Sequence, residues 1–316
     1  MSLYLGIDTS NYTTSAAFFD SEDGKMYSCK RLLPVKKGEA GLRQSDAVFH
    51  HTVQLPQIIG ELREEYGEKP HISAVGVSSR PRNVDGSYMP CFLCGEGLAS
   101  AMGDMLDIPV HRTSHQVGHI LAALFSAGKL ELIRKPFIAF HVSGGTTDCL
   151  FCEPDVGELM KAHEIASSLD LKAGQLIDRT GLMLGLDFPC GPALERLAAK
   201  SSEGIGFSSV MRNGSCCLSG FQNKAEEMLK RGVSAPDIAM YIQGCIAKTV
   251  WDMTAFAKKQ AGGDIPVIYA GGVMSNKFIR EYLEKRTGNI FFAEPCYSAD
   301  NAAGVALFAY FCNERL

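Results

Sequence analysis

The sequence predicts an α/β protein built as two duplicated lobes. Three observations carry that expectation. The chain opens with a strand at residues 3–7, a polar turn from Asp8 to Thr14, and a second strand at 15–19. The same strand–turn–strand pattern returns at 137–152, where H-V-S-G-G-T-T-D echoes the earlier G-I-D-T-S-N-Y-T-T-S. Residues 266–269 then form a short apolar strand that runs through Ala270, Gly271 and Gly272 towards a helix from Lys277. Glycines at such turns let the backbone approach a phosphate, and their N–H groups can cradle it. A nucleotide cleft between two lobes follows. The expected lobes are 1–112, completed by the C-terminal helix 300–316, and 113–299.

Composition narrows the classes of function. The chain has 316 residues, 46% of them hydrophobic, which suits two medium domains with a sizeable core. Its 31 basic and 35 acidic residues nearly balance. No global charge therefore points to nucleic acid or membrane, and an RNA contact would need a local basic patch or a partner protein. The N-terminus has no basic segment and meets Asp8 early, unlike a signal peptide. No apolar run approaches the ~20 residues of a membrane span. A soluble, cytoplasmic protein is expected. Among eleven cysteines are two C-x-x-C pairs, Cys91/Cys94 and Cys149/Cys152, which together could make a four-thiolate zinc site. Both pairs lie in apolar sequence without knuckle turns, so reduced structural cysteines are the preferred reading.

In order along the chain, a helix is expected from Ser45 or Asp46, one of which caps it, to about Tyr66. It carries His50 and His51, read as surface or helix-packing residues. A strand follows at 71–78. The loop at 79–87 holds Arg80 and Arg82 and suits an anionic ligand. A helix at 95–106 and a strand at 108–111 lead to the stretch V-H-R-T-S-H-Q-V-G-H. His115 and His119 are spaced i, i+4, which stacks two imidazoles on one helix face, roughly 5–6 Å apart at Cβ. His111 continues the row if the helix extends back that far. The pair suits one metal ion but needs a third ligand. Gln116 stands where a zinc protease needs its glutamate, and an amide cannot take a proton from metal-bound water, so a protease reading fails.

A composition break falls at 128–136. After the second hairpin come helices at 171–184, with Asp178, and 193–200, with Glu195 on its first turn. Residues 201–220 read as loop. Helices follow at 222–232 and 236–261, a strand at 290–293, and a last helix at 302–312. Asp300 precedes that helix, as an N-cap or as a carboxylate available to a metal.

The chain resembles the family that threonylcarbamoylates tRNA, the TsaD family, within the fold class of actin, the heat-shock ATPases and the sugar kinases. The resemblance rests on His115-x-x-Gly118-His119, Val142-Ser143-Gly144-Gly145-x-Thr147, Gly174-x-x-x-Asp178 with Gly185 to Pro192, Ala270 to Asn276, and Asp300-Asn301-Ala302. It implies that His115, His119 and Asp300 ligate one divalent metal, iron or zinc. It places Asp8, Ser10, Ser143, Gly144, Gly145, Asp178, Gly191, Glu195, Gly271, Gly272 and Asn276 at ATP or a threonylcarbamoyl-adenylate. The implied reaction moves the threonylcarbamoyl group to an adenosine of the tRNA anticodon loop. Partner proteins and a dimer are expectations that come with the resemblance; a membrane is not.

The departures from the family lie elsewhere. The adjacent acids of its first hairpin are Tyr12 and Thr13 here, so the general base is unassigned. The acid of its histidine motif is Val117. Its A-G-P-G-L loop is the longer stretch from Ser79 to Gly86, and its S-G-L-K is Ser219-Gly220-Phe221-Gln222. A hydroxyl is a far weaker proton acceptor than a carboxylate near neutral pH. Two alternatives therefore stand beside the family reaction: a carbamoyl-type transferase with another acceptor, and a non-catalytic nucleotide-binding paralogue acting through partners.

Overall fold

The computed structural model describes residues 2–10, 12–34, 42–84, 86–202, 204–294, 297 and 301–315. The chain divides into two compact units, 1–133 with 154–161 and 296–316, and 134–153 with 162–295.

The first unit is built on a five-stranded sheet. Its strands are β1 (Leu3–Asp8), β2 (Thr13–Asp20), β3 (Lys25–Leu32), β4 (Ile72–Arg80) and β5 (Val110–Ser114), in the order β3-β2-β1-β4-β5. β1 pairs antiparallel with β2 and parallel with β4. Its helices are α1 (Gln44–Tyr66), α2 (Phe92–Leu106), α3 (His115–Ser126) and, from the end of the chain, α9 (Ala302–Glu314).

Strand alternation sorts the faces of β1. Leu3, Leu5 and Ile7 pack with Leu55, Ile58 and Leu62 of α1 and Ala99 of α2. Tyr4, Gly6 and Asp8 face the other way. There Tyr4 meets Tyr310 edge-on, and a Cβ on Gly6 would strike the α9 backbone at Ala302 and Ala306. Asp8 thus points to the face that α9 and α3 cover.

The α3–α9 crossing depends on two glycines. A Cβ on Gly304 would lie 1.8 Å from the Gly118 carbonyl oxygen, so the two backbones touch directly. This crossing joins α3 to the first unit. The lobe boundary expected at 112/113 is thereby corrected: 113–133 cluster with the first unit, and the division falls at 133/134, inside the composition break.

The second unit repeats the plan. Its sheet strands are β6 (Phe137–Val142), β7 (Thr147–Asp155), β8 (Leu159–Ser167), β11 (Val267–Ala270) and β12 (Ile290–Phe292), in the order β12-β11-β6-β7-β8. β6 pairs antiparallel with β7 and parallel with β11, as β1 does with β2 and β4. Helices α4 (Ala173–Met183), α5 (Gly191–Ala198), α6 (Ser219–Lys230), α7 (Ala235–Gln260) and α8 (Lys277–Glu284) complete it, with a two-stranded ribbon of β9 (Met211–Arg212) and β10 (Ser215–Cys216). Ile138, Phe140 and Val142 of β6 join the α4 and α7 side chains in one core.

Several local expectations change. The cap of α1 is Arg43, not Ser45 or Asp46. His111 lies on β5, because Ser114 caps α3 by accepting from the Val117 N–H, so His111 does not extend the histidine row. Of the surface and helix-packing readings of His51, the second holds. The residue is fully buried, with Nδ1 2.8 Å from Thr14 Oγ1. Residues 201–220 are not all loop, since β9, β10 and the start of α6 lie there. Among the described residues no helix is long and apolar enough to cross a membrane.

Candidate functional site

Each unit gathers part of the predicted residue set. In the first, α3 opens on His115 and carries His119 one turn on. Their rings meet edge to face with centroids 4.5 Å apart, both half-buried. His115 Nδ1 lies 3.2 Å from each carboxylate oxygen of Asp8. Ser10 Oγ donates to Asp8 Oδ2 at 2.6 Å and Ser78 Oγ to Oδ1. Asn301 Nδ2 is 3.5 Å from Asp8 Oδ2 and from His115 Nε2. Asp8 is completely buried. Burial alone would raise its carboxyl, but the His115 charge and the hydrogen bonds from His115, Ser10 and Ser78 outweigh it and pull it down to about 2.

Asp8 and Ser10, expected at the nucleotide ligand, are hydrogen-bonded to each other, and Asp8 also to His115. A carboxylate on Nδ1 fixes the ring orientation and leaves Nε2 as the outward nitrogen, the arrangement that commonly holds a metal-ligating histidine. Asn301 Oδ1 is buried without a partner among the described residues. Two imidazoles and an uncommitted amide oxygen suit a borderline divalent ion such as iron or zinc. Asp300 lies outside the described residues. Among those described, no three His, Cys, Asp or Glu side chains converge on a metal position. Tyr12 is exposed and Thr13 half-buried, so the replaced family acids stand at an accessible turn.

In the second unit a cavity of about 420 Å³ is lined by Ser143, Gly144, Gly174, Ile177, Asp178, Pro189, Gly191, Pro192, Glu195, Gly272, Val273, Ser275 and Asn276. Seven residues singled out in the sequence meet there: Ser143, Gly144, Asp178, Gly191, Glu195, Gly272 and Asn276. Gly145 and Gly271 are not in its lining. Ser143 Oγ accepts the Gly145 and Thr146 N–H groups at 3.2 Å and so holds the turn. The Gly174 N–H donates to the Ser143 carbonyl. Gly271 takes φ 98°, and a Cβ there would meet the Val142 carbonyl at 2.3 Å, which requires glycine.

The polar residues of this cavity are tied to the frame. Asp178 Oδ1 accepts the Cys190 N–H at 2.9 Å, Glu195 Oε1 the Lys277 N–H at 2.8 Å, and Asn276 Oδ1 the Ile279 N–H at 3.0 Å. Each carboxylate keeps one oxygen without a partner among the described residues. Ile177, Val273, Pro189 and Pro192 supply apolar walls. Val273, Pro189 and Pro192 stand within the quoted motifs but were given no role at the ligand, and Ile177, one residue before Asp178, was not singled out.

Other predicted features fall elsewhere. Arg80 is not an open anion site, since its Nη2 is 2.8 Å from Glu158 Oε1. Among the described residues the C-x-x-C pairs do not join a cluster that could hold a metal ion. Cys149 and Cys152 are three apart on β7 and so face opposite sides, and burial raises both thiols far above their usual range. Cys94 Sγ lies 3.4 Å from the Val48 carbonyl, and none of the ten described cysteines forms a disulfide. Asp170, not singled out before, accepts the Leu171, Leu218 and Ser219 N–H groups and the Ser219 hydroxyl, joining segments 48 residues apart.

The family model for tRNA N6-adenosine threonylcarbamoyltransferase matches residues 36–307. The chain belongs to that family. It is accordingly an acyl-type transferase of tRNA modification and not a protease. A tRNA N6-adenosine threonylcarbamoyltransferase of Thermus thermophilus is 28% identical over 98% of this chain and 93% of its own length. Among solved structures, component A of (R)-2-hydroxyglutaryl-CoA dehydratase from Acidaminococcus fermentans aligns with TM-score 0.57 at 18% identity, covering 99% of this chain and 100% of that one. Full-length HypF in its phosphate- and nucleotide-bound form gives 0.60 at 13%, covering 98% of this chain and 55% of that one. The ROK hexokinase of Thermus thermophilus gives 0.51 at 16%, over 99% and 100%. At those identities the likeness is one of fold, the two-lobed sugar-kinase and actin class expected from the repeated hairpins.

Proposed function

We propose that this family member transfers a threonylcarbamoyl group from its adenylate to an adenosine of the tRNA anticodon loop. The observation that carries this reading is the cavity of the second unit, where seven residues drawn from four separated motifs converge. Ser143 and Gly144 offer donors to phosphate oxygens, and the uncommitted oxygens of Asp178 and Glu195 offer acceptors to ribose hydroxyls. Ile177, Val273 and the two prolines give a base an apolar surface. Nucleotide binding in the HypF structure supports the same use of the fold.

His115, His119 and Asp300 would hold one iron or zinc ion, which when bound supplies Lewis-acid polarisation of the acyl carbonyl. Asp8 orients His115 and keeps its Nδ1 protonated. Asn301 Nδ2 lies 3.5 Å from His115 Nε2. Acceptor deprotonation has no assigned carboxylate, because Tyr12 and Thr13 replace the family acids. That replacement favours one second reading, a carbamoyl-type transferase with another acceptor.

The test is a transfer assay with synthetic threonylcarbamoyl-adenylate, unmodified tRNA, the family's partner proteins and mass spectrometry of the digested nucleosides. Threonylcarbamoyladenosine is the expected product. Its absence, with the adenylate still bound and a control enzyme active, would overturn the tRNA acceptor in favour of the second reading.

A further inference from the structure

The second unit holds another cavity, of about 430 Å³, that the reaction above leaves unused. It is bordered by α7, α8 and the segment that precedes β9. Along α8 and its C-terminal cap, Phe278, Glu281, Tyr282 and Lys285 are spaced i, i+3, i+4, i+7 and share one helix face, while Ile279 and Leu283 enter the core. Phe207 closes the opposite side. A Cβ on Gly244 of α7 would lie 2.1 Å from the Phe207 ring, so that ring rests directly on the helix backbone. It meets Phe278 and Tyr282 edge-on, with centroids 5.7 and 6.3 Å away. All three rings are half-buried and so keep some surface open to the cavity.

Charge is gathered at the same place. Lys248, Lys285 and Arg286 line the cavity against one acid, Glu281. Lys248 is neutralised by Asp252, 2.6 Å away, which also accepts the Ser209 hydroxyl. Lys285 stands 3.6 Å from Glu281 with both side chains exposed, a pair that contributes little in water. Arg286 has no carboxylate partner among the described residues. Its guanidinium carbon lies 3.5 Å from the Tyr282 ring centroid, and Nη1 donates to the Tyr282 carbonyl at 2.9 Å. The ring and the carbonyl thus hold the guanidinium in place and leave Nε and Nη2 for an anion. In a chain of net charge −4 this is a local basic patch, the feature that an RNA contact requires here.

We propose that this cavity docks an unpaired nucleotide of the tRNA substrate, its base against the aromatic cluster and its phosphate at Arg286 and Lys285. The proposal rests on the tRNA acceptor reading given above and names a place where the RNA is held apart from the reacting group. Single-stranded RNA is bound in this manner: bases stack on aromatic rings and guanidinium planes while cations meet the backbone. An acidic peptide would satisfy the cations but leave the three rings unused. The site shares a helix with the nucleotide cavity of the same unit. Asn276, the N-cap of α8, lines that cavity, and Tyr282 follows six residues later, a rise of about 9 Å along the axis. Glu281 repels the incoming phosphate, so its removal favours the RNA, whereas Arg286 is a contact whose removal disfavours it.

Fluorescence anisotropy of labelled, unmodified tRNA with the full-length protein over a salt series separates these roles. Arg286→Gln should weaken binding about fivefold at low salt and reduce the salt slope by about 1, the signature of one lost phosphate contact. Phe278→Leu should weaken binding about fivefold with the slope unchanged, because stacking is not screened by salt. Glu281→Gln should tighten it about twofold. Opposite shifts from the two exposed substitutions, Arg286→Gln and Glu281→Gln, cannot come from a general loss of folding. AMP binding should be the same in all three variants. Unchanged tRNA affinity and slope in Arg286→Gln and Phe278→Leu, or no tRNA binding by the unaltered chain at low salt, would overturn the docking site, while product in the transfer assay would still uphold the acceptor reading. Weaker AMP binding with tRNA unchanged would assign the cavity to a free mononucleotide and overturn the RNA. Weaker association with the partner proteins, with the tRNA affinity of the isolated chain unchanged, would assign it to a protein and overturn the RNA likewise.

Discussion

Two buried residues of the first unit test the chemistry directly. Asp8 is the anion around which His115, Ser10, Ser78 and Asn301 are arranged. In Asp8→Asn the shape survives, but the side chain no longer fixes Nδ1 as the protonated nitrogen. Metal affinity should fall about 10- to 100-fold, the usual cost of losing such a support. A chelator-competition titration reads this without any turnover, and an unchanged affinity would remove Asp8 from the site. His51 is the second. Burial, partly offset by the Asp8 charge, pushes its imidazole down to about 4. The unfolded chain, with a histidine near 6.5, then binds a proton that the folded chain refuses between about pH 6.5 and 4. Folding stability should therefore be full above about 6.5 and fall with pH down to about 4, by on the order of 2 kcal/mol. Below that the contribution is flat. Guanidinium midpoints measured against pH should lose this segment in His51→Gln.

At the scale of elements, the α3–α9 crossing places the histidine pair. Gly304→Ala would push a methyl into the Gly118 carbonyl, a backbone atom that cannot move aside. A loss of about 2–3 kcal/mol is expected, readable as a lower melting temperature, together with weaker metal binding as α3 is displaced. A melting temperature equal to the parent's would mean that the helices separate freely. Elements of this kind also show what could be read from the sequence. β1, β2, β6, β7 and β11 carry short apolar or alternating runs because they are central or well covered, and each was legible. β3 and β8 were not. They are the outer antiparallel strands of their sheets, half-exposed, and K-M-Y-S-C-K-R-L and L-M-K-A-H-E-I-A-S show no clean period. Short-range signals located His115, His119 and the glycine turns. The roles of Asp8, His51 and Asp170 were hidden because their partners stand 107, 37 and 48 residues away along the chain.

For the whole molecule, the repeated strand order means that one supersecondary plan supplies two different sites. The first unit spends it on a buried aspartate and two histidines, the second on a glycine-turn cavity. A ligand of the second site alone should therefore stabilise segments that are far apart in sequence but share that cavity. ATP or AMP at about a hundred times its Kd would add about 2.7 kcal/mol to the state that binds it. Hydrogen exchange should slow at 143–146, 174–178, 191–195 and 272–276 together, since the Ser143 turn, the Asp178–Cys190 link and the Glu195–Lys277 link frame one space. The α1 backbone, which belongs to the other unit, should be unaffected at the same nucleotide concentration. Glu195→Ala frees the Lys277 N–H and removes an acceptor, so protection of all four segments should weaken in concert. Protection confined to one segment would show that these residues, although adjacent, do not act as one binding site.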